Sequence, residues 1–130
     1  MKLKGRKISG GKARGIALVS RKPLSFLGGV DPETGVIKDT ESDIKGESIK
    51  EKILVFPRGK GSTVGSYVIY QLKKNGVAPA AIVVEEAETI VATGAIIAGI
   101  PMVDKIDISK IKTGQIVEVD ADKGEVYIEE

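Results

Sequence analysis

The chain contains no cysteine, no histidine and no tryptophan. Without thiolate or imidazole, the sequence excludes disulfides, cysteine nucleophiles, phosphohistidine transfer, imidazole acid–base catalysis and nearly all zinc or iron–sulfur ligation by this chain. Chemistry must then use hydroxyl, amine, guanidinium, carboxylate or backbone groups. Aromatic residues are also scarce. The three tyrosines, at positions 67, 70 and 127, have no interleaved basic motif, unlike the stacking platform of an RNA-binding sheet. Charge of one sign is missing as well: 20 Lys and Arg face 18 Asp and Glu, spread along the chain, so long-range attraction to a polyanion is weak. The longest uncharged run, residues 89–103, falls short of the roughly 20 residues of a membrane span and is interrupted by Gly94, Gly99 and Pro101. The N-terminal MKLKGRKISGGK has charge but no apolar core of a signal peptide. The expectation is a cytoplasmic protein with neither nucleic acid nor membrane as partner.

What is present fits one folded domain over residues 1–130. With 42% apolar and 29% charged residues and only five scattered prolines, the chain is balanced for a core rather than for disorder. At this length about two thirds of the unfolded surface can be buried. Residues 1–9 and 13–20 read as two strands around a tight turn at Gly10-Gly11. Residues 24–39, LSFLGGVDPETGVIKD, read as a long loop with short extended pieces, a costly feature unless it is used. ILVF at 53–56 predicts a buried strand, followed by a helix with Val64, Tyr67, Val68 and Leu72 on its apolar face and a stop at Asn75-Gly76. AAIVV at 80–84 predicts a strand, AETIVATGAIIA at 87–98 an apolar helix with Ile90, Ile96 and Ile97 in the core, and IPMV at 100–103 another strand. Gly94 costs that helix about 1 kcal/mol relative to Ala, which close packing against the sheet or a partner would explain. Residues 115–120 and 125–129 predict a terminal hairpin. The fold class is therefore α/β, in three layers or as a small closed barrel, with antiparallel strands flanking a parallel core; the swivel-type β/β/α domain is one such arrangement.

The stretch 57–66, PRGKGSTVGS, follows a predicted parallel strand and leads into a helix N-terminus, where free amides attract anions. Gly59 and Gly61 let the backbone come close to a ligand. Arg58, Lys60, Ser62 and Thr63 add two cations and two hydroxyls, so the loop is suited to a phosphate or carboxylate. The plainer reading is that Ser62 caps the helix while the glycines make a turn. ATP and dinucleotide motifs fit poorly, because Gly61 follows Lys60 where a P-loop needs Ser or Thr, and the spacing to Gly65 is one residue too long. Asp31, in the second loop at 26–35, is a weaker candidate. Glu85, Glu86 and Glu88 are explained by the dipole of the helix they precede.

Together SGGKARGIALVS, PLSFLGGVDPETG, PRGKGSTVGS and APAAIVVEEAETIVATGAIIAGIPMV closely resemble the aconitase X swivel-domain family, over nearly the whole chain. The resemblance implies the small subunit of a hydro-lyase that dehydrates (R)-5-phosphomevalonate to trans-anhydromevalonate 5-phosphate in an archaeal mevalonate pathway. It further implies Ser62 as the catalytic proton acceptor, and a large subunit that carries an iron–sulfur cluster and binds most of a small anionic substrate. Arg58, Gly59, Lys60, Gly61 and Thr63 are the candidate substrate-binding residues, and this chain is expected to hold no metal. The loop reads Gly-Ser-Thr-Val-Gly-Ser where many relatives have Gly-Ser-Ser-Thr-Gly-Ser, and Leu27 stands where an aromatic is usual, which leaves the substrate pocket open. Related fused bacterial enzymes dehydrate hydroxyproline. The competing readings are a dehydratase subunit for such another hydroxy acid, a non-catalytic module that closes a partner's active site, and a self-sufficient anion binder.

Overall fold

A computed structural model of the chain describes residues 1–61 and 63–129. Along these residues run β1 (Lys2–Lys4), β2 (Arg6–Ser9), β3 (Lys12–Val19), β4 (Ile53–Phe56), α1 (Gly65–Lys74), β5 (Ala81–Val84), α2 (Thr89–Ala98), β6 (Met102–Asp104), β7 (Ile116–Asp120) and β8 (Glu125–Ile128). The strands are hydrogen-bonded in the order β1-β8-β7-β3-β4-β5-β6-β2. Strands β3 to β6 pair in parallel, and the remaining pairs are antiparallel.

Gly5 alone separates β1 from β2, yet these two strands stand at opposite ends of that order. They act as one strand bent at the glycine, pairing on one side with β8 and on the other with β6, so the sheet closes on itself. The long β3 turns the opposite corner: Lys12 to Ile16 pair with β7 and Ala17 to Val19 with β4.

The alternation of side chains across this flattened barrel produces two cores. Ala17, Val19, Ile53, Val55, Ala81, Val83 and Val103 face inward to meet Val117, Val119, Val126 and Ile128 from the antiparallel side. Leu18, Leu54, Phe56, Ile82, Val84 and Met102 face outward and are covered by Val68, Ile69 and Leu72 of α1, by Val91 and Ala95 of α2, and by the long loop. Strands buried on both faces are why ILVF and AIVV read as unbroken apolar runs. The expected sheet, sheet and helix layers are present, with the parallel core in the middle.

Three expectations need correction. The strands flanking Gly10-Gly11 do not pair with each other: the glycines carry the chain across the molecule, β2 to β6 and β3 to β7 and β4. The apolar face of α1 consists of Gly65, Val68, Ile69 and Leu72, whereas Val64 and Tyr67 are exposed. The i, i+3, i+4, i+7 spacing starts at a glycine, which a search for large apolar residues passes over. In α2, Ile96 and Ile97 are exposed, and the buried positions are Val91, Gly94 and Ala95. Gly94 lies against α1 rather than the sheet, since a Cβ there would stand 2.8 Å from Ile69 Cδ1 and 3.2 Å from Ser66 Cα.

The helix ends follow the sequence signals. Asn75 caps α1, Gly76 adopts a left-handed φ of 74°, and Lys73 and Lys74 occupy the last turn. Between β3 and β4 no helix or strand forms, and the chain is held by isolated bridges (Val30 to Ile37, Val36 to Ser48) and by Leu24, Phe26, Ile37 and Ile49 buried in the outer core. Phe26 meets Phe56 edge to face at 6.1 Å. Among the described residues no helix is long and apolar enough to cross a membrane.

Candidate functional site

Beyond β4 the backbone keeps bonding in an extended form. The Pro57 carbonyl accepts from the amides of Glu85 and Glu86. The Leu24 amide donates to Arg58 O, and the Lys60 amide donates to Leu24 O, both at 3.1 Å, which makes a short parallel bridge between Leu24 and Gly59. The glycine-rich segment is thereby pinned on both sides before it turns toward α1.

Each of its first two glycines has a steric reason. A Cβ at Gly59 would lie 2.5 Å from Val91 Cγ2 and 3.1 Å from Glu88 Oε1, so only glycine lets the segment pass the start of α2. Gly61 takes a φ of 101° and a Cβ there would lie 2.8 Å from Ser25 Oγ. Ser62, the proposed proton acceptor, lies outside the described residues. The helix follows from Gly65, with Val64 at the N-cap and no side-chain cap bond. The amides of Ser66 and Tyr67 bond back to the carbonyls of Thr63 and Val64. Those two first-turn donors are not turned toward a ligand, contrary to the expectation of a bare helix N-terminus.

Lys60 and Gly61 face a cleft of about 550 Å³ that the long loop completes with Ser25, Leu27, Gly28, Gly29, Lys38, Asp39, Thr40 and Glu41. It adjoins a second cavity of about 560 Å³, which shares Lys60, Asp39, Thr40 and Glu41 and adds Lys22 and Asp43. Three ammonium groups, at Lys22, Lys38 and Lys60, thus line the joined space. Several of the anionic groups are already engaged: Asp39 Oδ1 accepts from the Glu41 amide at 2.9 Å, and Asp43 accepts from Ser20 Oγ and the Arg21 amide at 2.8 Å each. The Lys22 ammonium donates to the Glu41 carbonyl at 3.2 Å.

The remaining candidates stand elsewhere. Arg58 is exposed and is not among the described residues lining either cavity. Gly59 is buried beneath the site, and Thr63 is exposed, its carbonyl taken by the amide and hydroxyl of Ser66. Asp31 shapes its own turn: its Oδ1 accepts from the Glu33 amide at 2.9 Å, the main reason its carboxyl is held below the usual range. Glu86 pairs with Lys105, and Glu88 caps α2 by accepting from the Val91 amide at 2.7 Å. The dipole reading of these glutamates extends to a direct cap.

Sequence reasoning missed Ser25, Lys38 and Thr40. The available signal was the cost of a long glycine-bearing loop beside a glycine-rich turn, but which of its side chains meet Lys60 is set by the bridges that fold the loop back.

Iron–sulfur ligation does not fit this chain. It has no cysteine or histidine, and among the described residues no group of three or more Asp and Glu gathers where a metal ion could be held. The cleft offers cations and hydroxyls for an anion, and by itself neither a Lewis acid nor an imidazole.

Comparison with known proteins places this architecture. The chain is 84% identical over 130 residues to the phosphomevalonate dehydratase small subunit of Thermococcus sibiricus, covering all of both chains. The crystal structure of Thermococcus kodakaraensis aconitase X in its holo form superposes with a TM-score of 0.99 at 75% identity, covering 100% of this chain and 99% of that one. The 3-isopropylmalate dehydratase of Methanocaldococcus jannaschii shares the fold alone, with a TM-score of 0.64 at 19% identity over 92% of this chain and 82% of that one. A family model for the aconitase X swivel domain matches residues 2–128, and the chain belongs to that family.

Proposed function

We propose that this chain, acting as one swivel domain over residues 1–130, is the small subunit of a phosphomevalonate dehydratase. The observation that carries the reading is the end-to-end match to a relative of that name at 84% identity, with no part of either chain left over. The cleft adds physical support: lysines opposite a glycine-lined wall suit a substrate bearing a phosphate and a carboxylate.

In this reading Ser62 takes a proton from the carbon beside the hydroxyl-bearing one, the electrons of the broken C–H bond form the double bond, and the hydroxyl leaves. A serine hydroxyl is a weak base at neutral pH, so its alkoxide needs cations close by. Lys60, two residues before it, lines the cleft and is the first candidate, with Lys38 lining the same cleft; Arg58, exposed four residues before it in the chain, is the third cation. Of the other substrate-binding candidates, Gly61 presents bare backbone to the cleft, Thr63 is exposed just beyond it in the chain, and the buried Gly59 acts from beneath by letting the segment pass α2. The departing hydroxyl has to meet an acid, and we assign that acid to the partner rather than to the cleft lysines, which are needed as cations beside the alkoxide. That group belongs to the large subunit, where an iron–sulfur cluster is expected, and the pair works in the cytoplasm.

The test is reconstitution with the large subunit in the absence of oxygen. Ser62→Ala is expected to lower kcat by about 10²–10⁴-fold while the two subunits still elute together. Wild-type turnover in that variant removes Ser62 from catalysis and leaves the chain as a module that only closes its partner's site.

A further inference from the structure

Helix α2, TIVATGAIIA, carries no charged residue, and its apolar residues are not confined to the face it buries. Val91, Gly94 and Ala95 pack inward while Ile96 and Ile97 are 57% and 63% exposed on the other side. A helix apolar all round is expected to be covered all round. The neighbouring α1 adds Val64, Tyr67 and Tyr70, with the two tyrosine rings stacked at 6.3 Å. Tyr67, Tyr70, Ile97 and Ser66 enclose an apolar groove of about 300 Å³. At the far end, a Cβ on Gly65 would lie within 3.9 Å of the Leu27 amide, so exposed Leu27 on the cleft wall stands beside the start of α1. Of the eight large apolar side chains exposed among the described residues, Tyr67, Tyr70, Ile96 and Ile97 belong to these two helices and Val64 to the N-cap of α1, a concentration that scattered surface hydrophobics do not show.

We infer that the outer face of α1 and α2, centred on the Tyr67, Tyr70 and Ile97 groove, is the docking surface for the large subunit. This rests on the small-subunit reading given above. Ser66, which lines the groove, donates its hydroxyl to the Thr63 carbonyl at 3.0 Å, so the groove adjoins the end of the glycine-rich segment and a chain that completes the active site over that segment lies beside it. Its lack of charge on α2 suits an apolar, lasting interface rather than a polar transient one. A second copy of this chain on the same face would bring two incomplete clefts together and supply neither with the missing acid.

The experiment is co-expression of the large subunit with wild-type chain, Ile97→Asp, Tyr70→Asp and, as a charge control remote from the helices, Lys112→Asp. Both helix positions are exposed, and thermal unfolding of each isolated variant checks that its fold is intact. The expected result is a dissociation constant raised at least about tenfold for each helix variant and less than about twofold for the control. Helix variants that bind within twofold of wild type overturn the inference and leave the small-subunit reading standing. So does a homodimer of the isolated chain that these variants dissociate while the complex with the large subunit survives. A wild-type chain that forms no complex with the large subunit overturns both.

Discussion

Tyr127 donates to Glu125 Oε1 at 2.5 Å from two residues along the same face of β8, and Lys2 approaches the same carboxylate from β1 at 3.2 Å. The tyrosine bond first, then the lysine, holds the Glu125 carboxyl below its ordinary 4.5, and the same bond raises the Tyr127 phenol above 10.0. A depressed carboxyl contributes stability that is present above its unfolded value and lost as pH falls through the folded one; a raised phenol contributes stability that is present below its unfolded value and lost as pH rises through the folded one. Tyr127→Phe is therefore expected to destabilise most between pH 4.5 and 10.0, with the gap to wild type closing on both sides. Urea unfolding across pH checks this, and a gap independent of pH would assign the tyrosine a packing role only. At this scale the glycine-rich segment was legible, because Gly59 and Gly61 mark close approach and positive φ. Ser25 and Lys38 were not, because nothing local says that a loop residue will face a lysine more than twenty positions away.

At the scale of elements, α1 and α2 make the closest helix contact through Gly94. Replacing glycine by alanine inside a helix ordinarily stabilises it by about 1 kcal/mol. Here the new methyl would stand 3.0 Å from Ile69 Cβ and 3.2 Å from Ser66 Cα, atoms that move only with their helix. Overpacking of this kind costs about 1–3 kcal/mol, which offsets or exceeds the propensity gain. Gly94→Ala is expected to lower the urea midpoint, and a rise would show that the helices part without cost. The existence and order of both helices, the buried strands and the terminal hairpin were legible, since each leaves a periodic or unbroken apolar pattern. The faces of α1 and α2 were not, because exposed Val64, Tyr67, Ile96 and Ile97 are as apolar as the residues that are buried.

Over the whole molecule the closing point of the barrel is Gly5. Its amide donates to Gly124 O at 2.7 Å, and a Cβ there would meet Asp104 O at 2.0 Å and Ile106 Cδ1 at 2.8 Å. Next to it, Arg6 makes two bonds, at 3.0 and 2.8 Å, to the fully buried Asp104 carboxylate, which also accepts from the Ala87 amide. Closure therefore also holds the chain leading into α2. Gly5→Ala is expected to cost about 1–3 kcal/mol and to raise amide exchange in β1, β2 and β6 before the other strands. Uniform exchange with unchanged stability would mean that the seam tolerates a side chain.

The sequence by itself determined which side-chain chemistries are missing, which regular elements form and in what order, and which segment is bare enough to approach a ligand. Those properties depend on side-chain identity and on spacing within a few residues. Tertiary structure decided that β2 pairs with β6 instead of β3, that the sheet closes at Gly5, that Lys38 and Lys60 share a cleft, and that one apolar helix face is left uncovered. The physical reason is that pairing and closure depend on which backbone edges and apolar surfaces remain free once distant segments have packed, and no short window of sequence encodes that.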